Sequence, residues 1–424
     1  MNPNPALSRR RLLGLSAALG LGGVLSVAGC TWNDAESTDS SLGGDFFDGS
    51  SLHSVSLTLS DDAWDEVRSA WQQSSEKVWA EVTLTIDGTA YKRVGARLKG
   101  NSTLRQTANT AAPQEYPWLL RLDKFVDGQS HQGVTEFAIR VNRTTGALNE
   151  ALALDLMGRA GLVTQRATYA AVTVGDSAAV LRLVCEHPSG AWIEAAMSGT
   201  GRLYKAEATG DYSYRGDDPA AYDEVFDQEA GEEDLTPLTD FLKWINQSSD
   251  ADFADGLPTR LDVESFATYL AFEDLVDNYD DIEGPGNNSY LWSDTASSRM
   301  TVLGWDHNLT FGVTNRPGGG GAGAGGGPGG PGGPAQGGGQ GGGQGGGPSP
   351  NRNGNILATR FKANATYAAA VAKATSALKA SLITSGVATT RLDAYANLLT
   401  QHASTLVDTE TLASEKAAVA KYLA

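Results

Sequence analysis

Residues 317–350, PGGGGAGAGGGPGGPGGPAQGGGQGGGQGGGPSP, contain no charged side chain and nothing bulkier than Gln or Pro. Such a run has no apolar surface to bury, so ordering it would cost chain entropy with nothing to offset the loss. It is expected to be disordered. The flanks decide how it sits in the fold. Before it come two helical patterns, LTPLTDFLKWINQ and DVESFATYLAFEDLVDNY, then two short strands, SYLW and MTVLGW. After it the chain from Ile356 to Ala424 is Ala-rich and helical. The tract therefore reads as an insertion in an α-rich C-terminal half, not as a domain boundary.

The first half reads differently. HSVSLTLS (53–60) alternates as a strand, and SDDAWDEVRSAW follows as a capped helix with Trp64, Val67 and Trp71 on one face. VWAEVTLTIDGTAYKRVGARLKG gives two strands around Asp87-Gly88. YPWLLRLDKF and TEFAIRV are further strands. TGALNEALALDLMGRAGL is an amphipathic helix stopped by Gly161, and RATYAAVTVGDSAAVLRLVCEH is a second hairpin around Gly175-Asp176. Trp118, Trp244 and Tyr269, with Trp64 and Trp71, are read as core. The whole is an α+β chain, with 52–424 as its folded domain.

The N-terminus lies apart from that fold. SRRRLLGLSAALGLGGVLSVAGC has a basic start at Arg9, Arg10 and Arg11 and a short, Gly-rich apolar run. That pattern fits an export signal better than a membrane span, and the paired Arg resembles a twin-arginine signal. Leu-Ser-Val-Ala-Gly-Cys resembles a lipobox. It implies a signal over 1–29, lipidation at Cys30 and a polar tether over 30–51. The protein would then be held at the outer face of the cytoplasmic membrane by lipid alone. The other cysteine, Cys185, is left without a partner, so a core and not disulfides must hold the domain. The net charge of −18 argues against nucleic acid as a partner. It suits a basic, Ser-rich protein substrate.

NYDDIEGPGNNSYLW (278–292) and VLGWDHNLTFG (302–312) carry the chemistry. Asp and Asn oxygens are hard ligands that suit Mg²⁺, Mn²⁺ or Ca²⁺. The spacing is not that of an EF-hand loop. Read as helix, loop, strand, turn, strand, the segment puts Asp280 at a helix end, Asn288 at a strand start and Asp306 just past the next strand. Phosphoryl transfer needs such a convergence. A solvated acidic loop would have the same composition.

Both segments resemble the signature of the CotH family, the spore-coat-protein-H-like atypical secreted kinases. The matching residues are Asn278-Tyr279-Asp280, Asn288-Ser289-Tyr290-Leu291-Trp292, Trp305-Asp306-His307-Asn308 and Phe311-Gly312. VGARLKGNSTLRQ and RLYKAE resemble two further family motifs. The resemblance implies a bilobal, kinase-like fold with a β-rich N-terminal and an α-rich C-terminal lobe, using ATP with Mg²⁺ or Mn²⁺. Asp280 becomes the catalytic Asp, Asp306 the main metal ligand, Asn288 (or Asn287, the loop being longer than the family's) a second, and Asn308 a further candidate. Arg97 and Lys99, before Gly100, are the first choice for the phosphates, with Arg121 and Lys205 next. Glu150 would pair with one of these cations, and Glu186 would meet the adenine edge. His307 is expected to be an exposed, variable residue. The rival reading is a non-catalytic coat or adhesin module with a structural Ca²⁺ site.

Overall fold

Alternation of apolar and polar residues builds the first unit. In the computed structural model, which describes residues 45–107, 111–197, 199–207, 211–284, 287–314 and 354–424, seven strands close into a barrel in the order β1-β2-β3-β4-β5-β7-β6. They are β1 (Leu52–Thr58), β2 (Ala80–Ile86), β3 (Thr89–Leu98), β4 (Trp118–Arg121), β5 (Glu136–Ile139), β6 (Ala167–Val174) and β7 (Val180–Glu186). β1 closes the ring by pairing in parallel with β6, Leu52 opposite Tyr169. Val55, Leu84, Val94, Trp118 and Phe137 are among the side chains of its core. Helix α1 (Asp61–Ser74), capped by Ser60, lays Val67 on this core.

The expectations for the export signal, for Cys30 and for the glycine tract fall largely or wholly on 1–44 and 315–353, outside the described residues. The tether of 30–51 needs correction where it is described. Phe46 and Phe47 are each 1% exposed and belong to the barrel core. Phe46 packs against His53, His131 and Phe137, and Asp45 lies 3.5 Å from Arg166. Two adjacent aromatics outweigh the polar composition around them.

Short α2 (Ser102–Gln106) follows β3, and α3 (Leu148–Arg159) follows β5. α3 was expected to be amphipathic, yet every residue from Leu148 to Gly158 is buried. It packs against β6 on the barrel side and against α10, α11 and the turn after β11 on the other. Its polar side chains are paired: Glu150 with Arg140, and Asp155 with Arg159 and Arg391.

After β7, α4 (Gly190–Ala196) leads into a four-stranded sheet ordered β11-β10-β8-β9, with β8 (Gly201–Ala206), β9 (Phe226–Ala230), β10 (Ser289–Asp294) and β11 (Met300–Gly304). Helices α5 (Thr236–Gln247), α6 (Asp250–Gly256) and α7 (Val263–Leu275) separate β9 from β10. The tail forms α8 (Ile356–Ala363), α9 (Ala365–Leu378), α10 (Val387–His402) and α11 (Thr409–Ala420). One buried cluster joins α3, α5–α7, Phe311 from before the glycine tract, and Leu357 and Phe361 from after it. No described helix is long and apolar enough to cross a membrane.

Candidate active site

The ends of β3, β5, β8, β10 and β11 converge on a cleft of about 350 Å³. The barrel supplies cations: Arg97 and Lys99 from β3 and its end, and Arg140 just past β5. Lys77 also lines the cleft and donates to Asn101 at 2.9 Å. Gly100, in the left-handed region at φ 86°, turns the chain from Lys99 into Asn101, Ser102 and Thr103 along the rim. The four-stranded sheet supplies Lys205, Glu207, Asp227 and Glu229. The acidic motif supplies Asn288, Asp306 and Asn308.

Backbone bonds stitch the acidic motif together. Tyr279 N–H donates to Leu309 C=O at 2.9 Å, and Phe311 N–H to Val276 C=O at 2.7 Å. Glu273 of α7 ties the same two turns through side chains. Its carboxylate accepts from Asn278 Nδ2 at 2.8 Å and lies 3.0 Å from His307 Nε2. His307 is 0% exposed, against the expectation that it is a surface residue. Asp306 takes the left-handed conformation (φ 62°, ψ 58°), which turns the next residue inward onto α7. Burial disfavours a charged His307, but Glu273 outweighs it and the imidazole pKa is raised.

Asp280 lies in the turn beyond α7, not at the helix end itself. Asn288 Nδ2 donates to its Oδ2 at 3.1 Å, which leaves the amide oxygen of Asn288 as a ligand atom. Asp306 pairs with Arg140, whose guanidinium also lies 2.9 Å from Glu150. Burial opposes the charge of Arg140, but Asp306 and Glu150 raise its pKa. Glu150 thus pairs with a cation that sequence reading missed, since Arg140 sits inconspicuously at the end of the apolar strand TEFAI. A lone Arg where a strand leaves the core is the signal that was there to use.

Lys99 has no carboxylate at ion-pair distance among the described residues. Its ammonium stands 4.9 Å from the centroid of the Trp305 ring. Burial first, then Lys205 and Arg140, pull its pKa down to about 7. Arg97 stacks over Trp79 at 5.1 Å, and Lys205 pairs with Glu207. His187, at the end of the cleft, is kept neutral by burial and by Lys99, Arg97 and Lys205. Its Nδ1 lies 3.1 Å from Glu136.

Two expected site residues lie elsewhere. Arg121 is absent from the cleft wall and bonds Asp123 at 2.9 Å. On β4 it stands opposite Gly95, two residues back along β3 from Arg97, and so lies short of the β3 end that lines the cleft. Glu186 lines a separate cavity of about 210 Å³ that shares His187 with the cleft. Its two oxygens are taken up by Arg166, at its side chain and its N–H, and by Trp192 Nε1. A carboxylate so committed has no oxygen left for an adenine amino group.

A family model described as CotH kinase protein matches residues 96–421, from β3 to the end of α11. The chain belongs to the CotH kinase family. No curated protein matches it. CotH membership makes a kinase-like enzyme the reading for this cleft, whose Arg97, Lys99, Arg140 and Lys205 fall, with the acidic motif, within the matched residues.

A kinase-like CotH site implies a divalent ion carried with the nucleotide. No three His, Cys, Asp or Glu side chains among the described residues could hold a metal by themselves. Apart from Glu207, Asp227 and Glu229 of the four-stranded sheet, the acidic motif offers the cleft one carboxylate, Asp306, and two amides, Asn288 and Asn308. All are hard oxygen donors. Mg²⁺ is commonly bound by one or two protein oxygens together with phosphates and water, so this sparse set fits an ion that arrives with a phosphate ligand.

Proposed function

We propose that the chain is an exported, lipid-anchored protein kinase that transfers the γ-phosphoryl group of ATP to a Ser or Thr hydroxyl, in a bilobal kinase-like arrangement of barrel and helical half. The observation that carries this reading is one cleft with cations on its barrel wall and Asn288, Asp306 and Asn308 on the other, Asp280 lying one hydrogen bond behind Asn288. Export and anchoring through Cys30 are supported by the N-terminal sequence alone.

Lys99 and Arg140 place positive charge where β- and γ-phosphate oxygens would lie. Lys99 is the better phosphate partner, because its ammonium carries no carboxylate and keeps its N–H groups for the ligand. Arg140 is anchored by Glu150 and orients Asp306. Mg²⁺ or Mn²⁺, held by Asp306 and Asn288 with Asn308 beside them, would neutralise phosphate charge. Asp280 accepts the proton of the attacking hydroxyl as its oxygen bonds to the γ-phosphorus. The bond from that phosphorus to the β,γ-bridging oxygen breaks, the electron pair stays on that oxygen, and ADP leaves. The acidic surface favours a basic, Ser-rich protein substrate.

Labelled γ-phosphate on the purified chain, with Mn²⁺ or Mg²⁺, tests this. Asp280→Asn is expected to lower transfer by about 100-fold or more while an ATP analogue still binds. Asp306→Ala is expected to abolish metal-dependent binding of that analogue. Transfer that persists at the wild-type rate in Asp280→Asn would remove the assignment.

A further inference from the structure

Close packing fixes where Trp305 stands. A Cβ on Gly304 would lie 2.7 Å from the Met157 methyl and 2.8 Å from the His307 ring, so a larger residue at the end of β11 would have to displace one or both. Asp306 then turns the chain through the left-handed region. Between them Trp305 is held in the wall of the cleft, with Tyr290 and His187 at right angles to its ring at centroid distances of 5.8 and 6.3 Å. The cations address the ring itself. Lys99 Nζ lies 4.9 Å and the Arg140 guanidinium 5.5 Å from its centroid.

A half-buried ammonium needs a counterpart. A carboxylate would supply one, but it would compete with phosphate for the same N–H groups and add negative charge to an anion site. An indole face attracts the cation through its quadrupole and carries no net charge. Arg140 already has Glu150 and Asp306, so the ring matters most for Lys99. We infer that Trp305 is a positioning residue for triphosphate: its ring holds the Lys99 ammonium over the cleft in place of a carboxylate and leaves that ammonium free for phosphate oxygens. This rests on the kinase reading above, which supplies the triphosphate.

The test compares Trp305→Phe, which keeps a ring, with Trp305→Met, which does not, in the full mature chain with Mn²⁺. The probes are inorganic tripolyphosphate and a non-hydrolysable ATP analogue. Trp305→Met is expected to weaken both about 10-fold, and Trp305→Phe by less than about threefold. The KM for ATP should rise more than kcat falls. In a Lys99→Met background, Trp305→Met should add little, since the ring acts through the lysine. Equal losses in the Phe and Met variants, or losses that add fully in the double variant, would overturn the inference. If Trp305→Met does not fold, Trp305→Tyr joins Trp305→Phe, and a 10-fold loss in either folded variant overturns it as well. A wild-type chain that binds neither probe takes away the kinase reading itself; one that binds both, with Trp305→Met unchanged, takes away only the role of the ring.

Discussion

Asp280 and Asp281 are chain neighbours with different environments. Asp280 is reached by Asn288 of the cleft wall. Asp281 is 7% exposed, accepts from Glu283 N–H at 2.9 Å, and has its carboxyl pushed up to about 8 by burial, then by Glu273 and Glu283. The native state therefore holds a proton on Asp281 that the unfolded chain releases near its ordinary value of about 4. Its contribution to stability is full below about pH 4 and is lost as pH rises through about 8. Melting temperatures followed by circular dichroism should fall from pH 5 to pH 9. The effect is on the order of a few kcal/mol. Asp281→Asn, which keeps the acceptor oxygen, should flatten that trend. An identical slope in both proteins would show that Asp281 is ionised in the fold.

Among the elements, α3 has the least ordinary support. Its N-cap, Ala147, is in the left-handed region and has no side-chain cap of its own. Glu415 of α11 takes that place from far along the chain, accepting from Gly146 N–H and Leu148 N–H, each at 2.7 Å, and from Thr144 Oγ1 at 2.6 Å. A buried carboxylate at a helix N-terminus satisfies orphan donors and meets the positive end of the helix dipole. Leaving these donors unpaired should cost about 2–4 kcal/mol in Glu415→Ala, read by urea denaturation. Because α3 carries Glu150, which anchors Arg140, affinity for an ATP analogue should fall in the same variant. A stability loss under about 0.5 kcal/mol would mean that other groups cap the helix.

For the whole molecule, the glycine tract is the open question. Phe311 packs against Tyr422 at 6.3 Å, and Asn355 caps α8 through Leu357 and Ala358 N–H, so the described chain is anchored on both sides of it. The entropy of closing a loop varies with the logarithm of its length, so shortening it changes stability little. Replacing 318–349 by a short Gly-Ser link should leave the melting temperature within about 2 °C and phosphorylation of a small peptide within about twofold. Loss of peptide phosphorylation in a folded, shortened protein would make the tract part of the catalytic apparatus.

Local pattern was enough for the hairpins at Asp87-Gly88 and Gly175-Asp176, for α1 with its Ser60 cap, and for the order of strands around the acidic motif, because periodicity and turn chemistry act over a few residues. The motif itself, Asp280 through Asp306, was legible for the same reason: its groups lie within one hairpin and its flanks. Side-chain pairing across the chain was not. Arg140, not Arg97 or Lys99, holds Glu150. Arg121 lies outside the cleft beside Asp123, Glu186 is committed to Arg166, and His307 is buried against Glu273. Phe46 and Phe47 leave an otherwise polar segment for the barrel. Each of these is decided by which distant surface a residue meets when the barrel closes and α3 is enclosed, and a buried charge takes whichever partner that closure brings within reach.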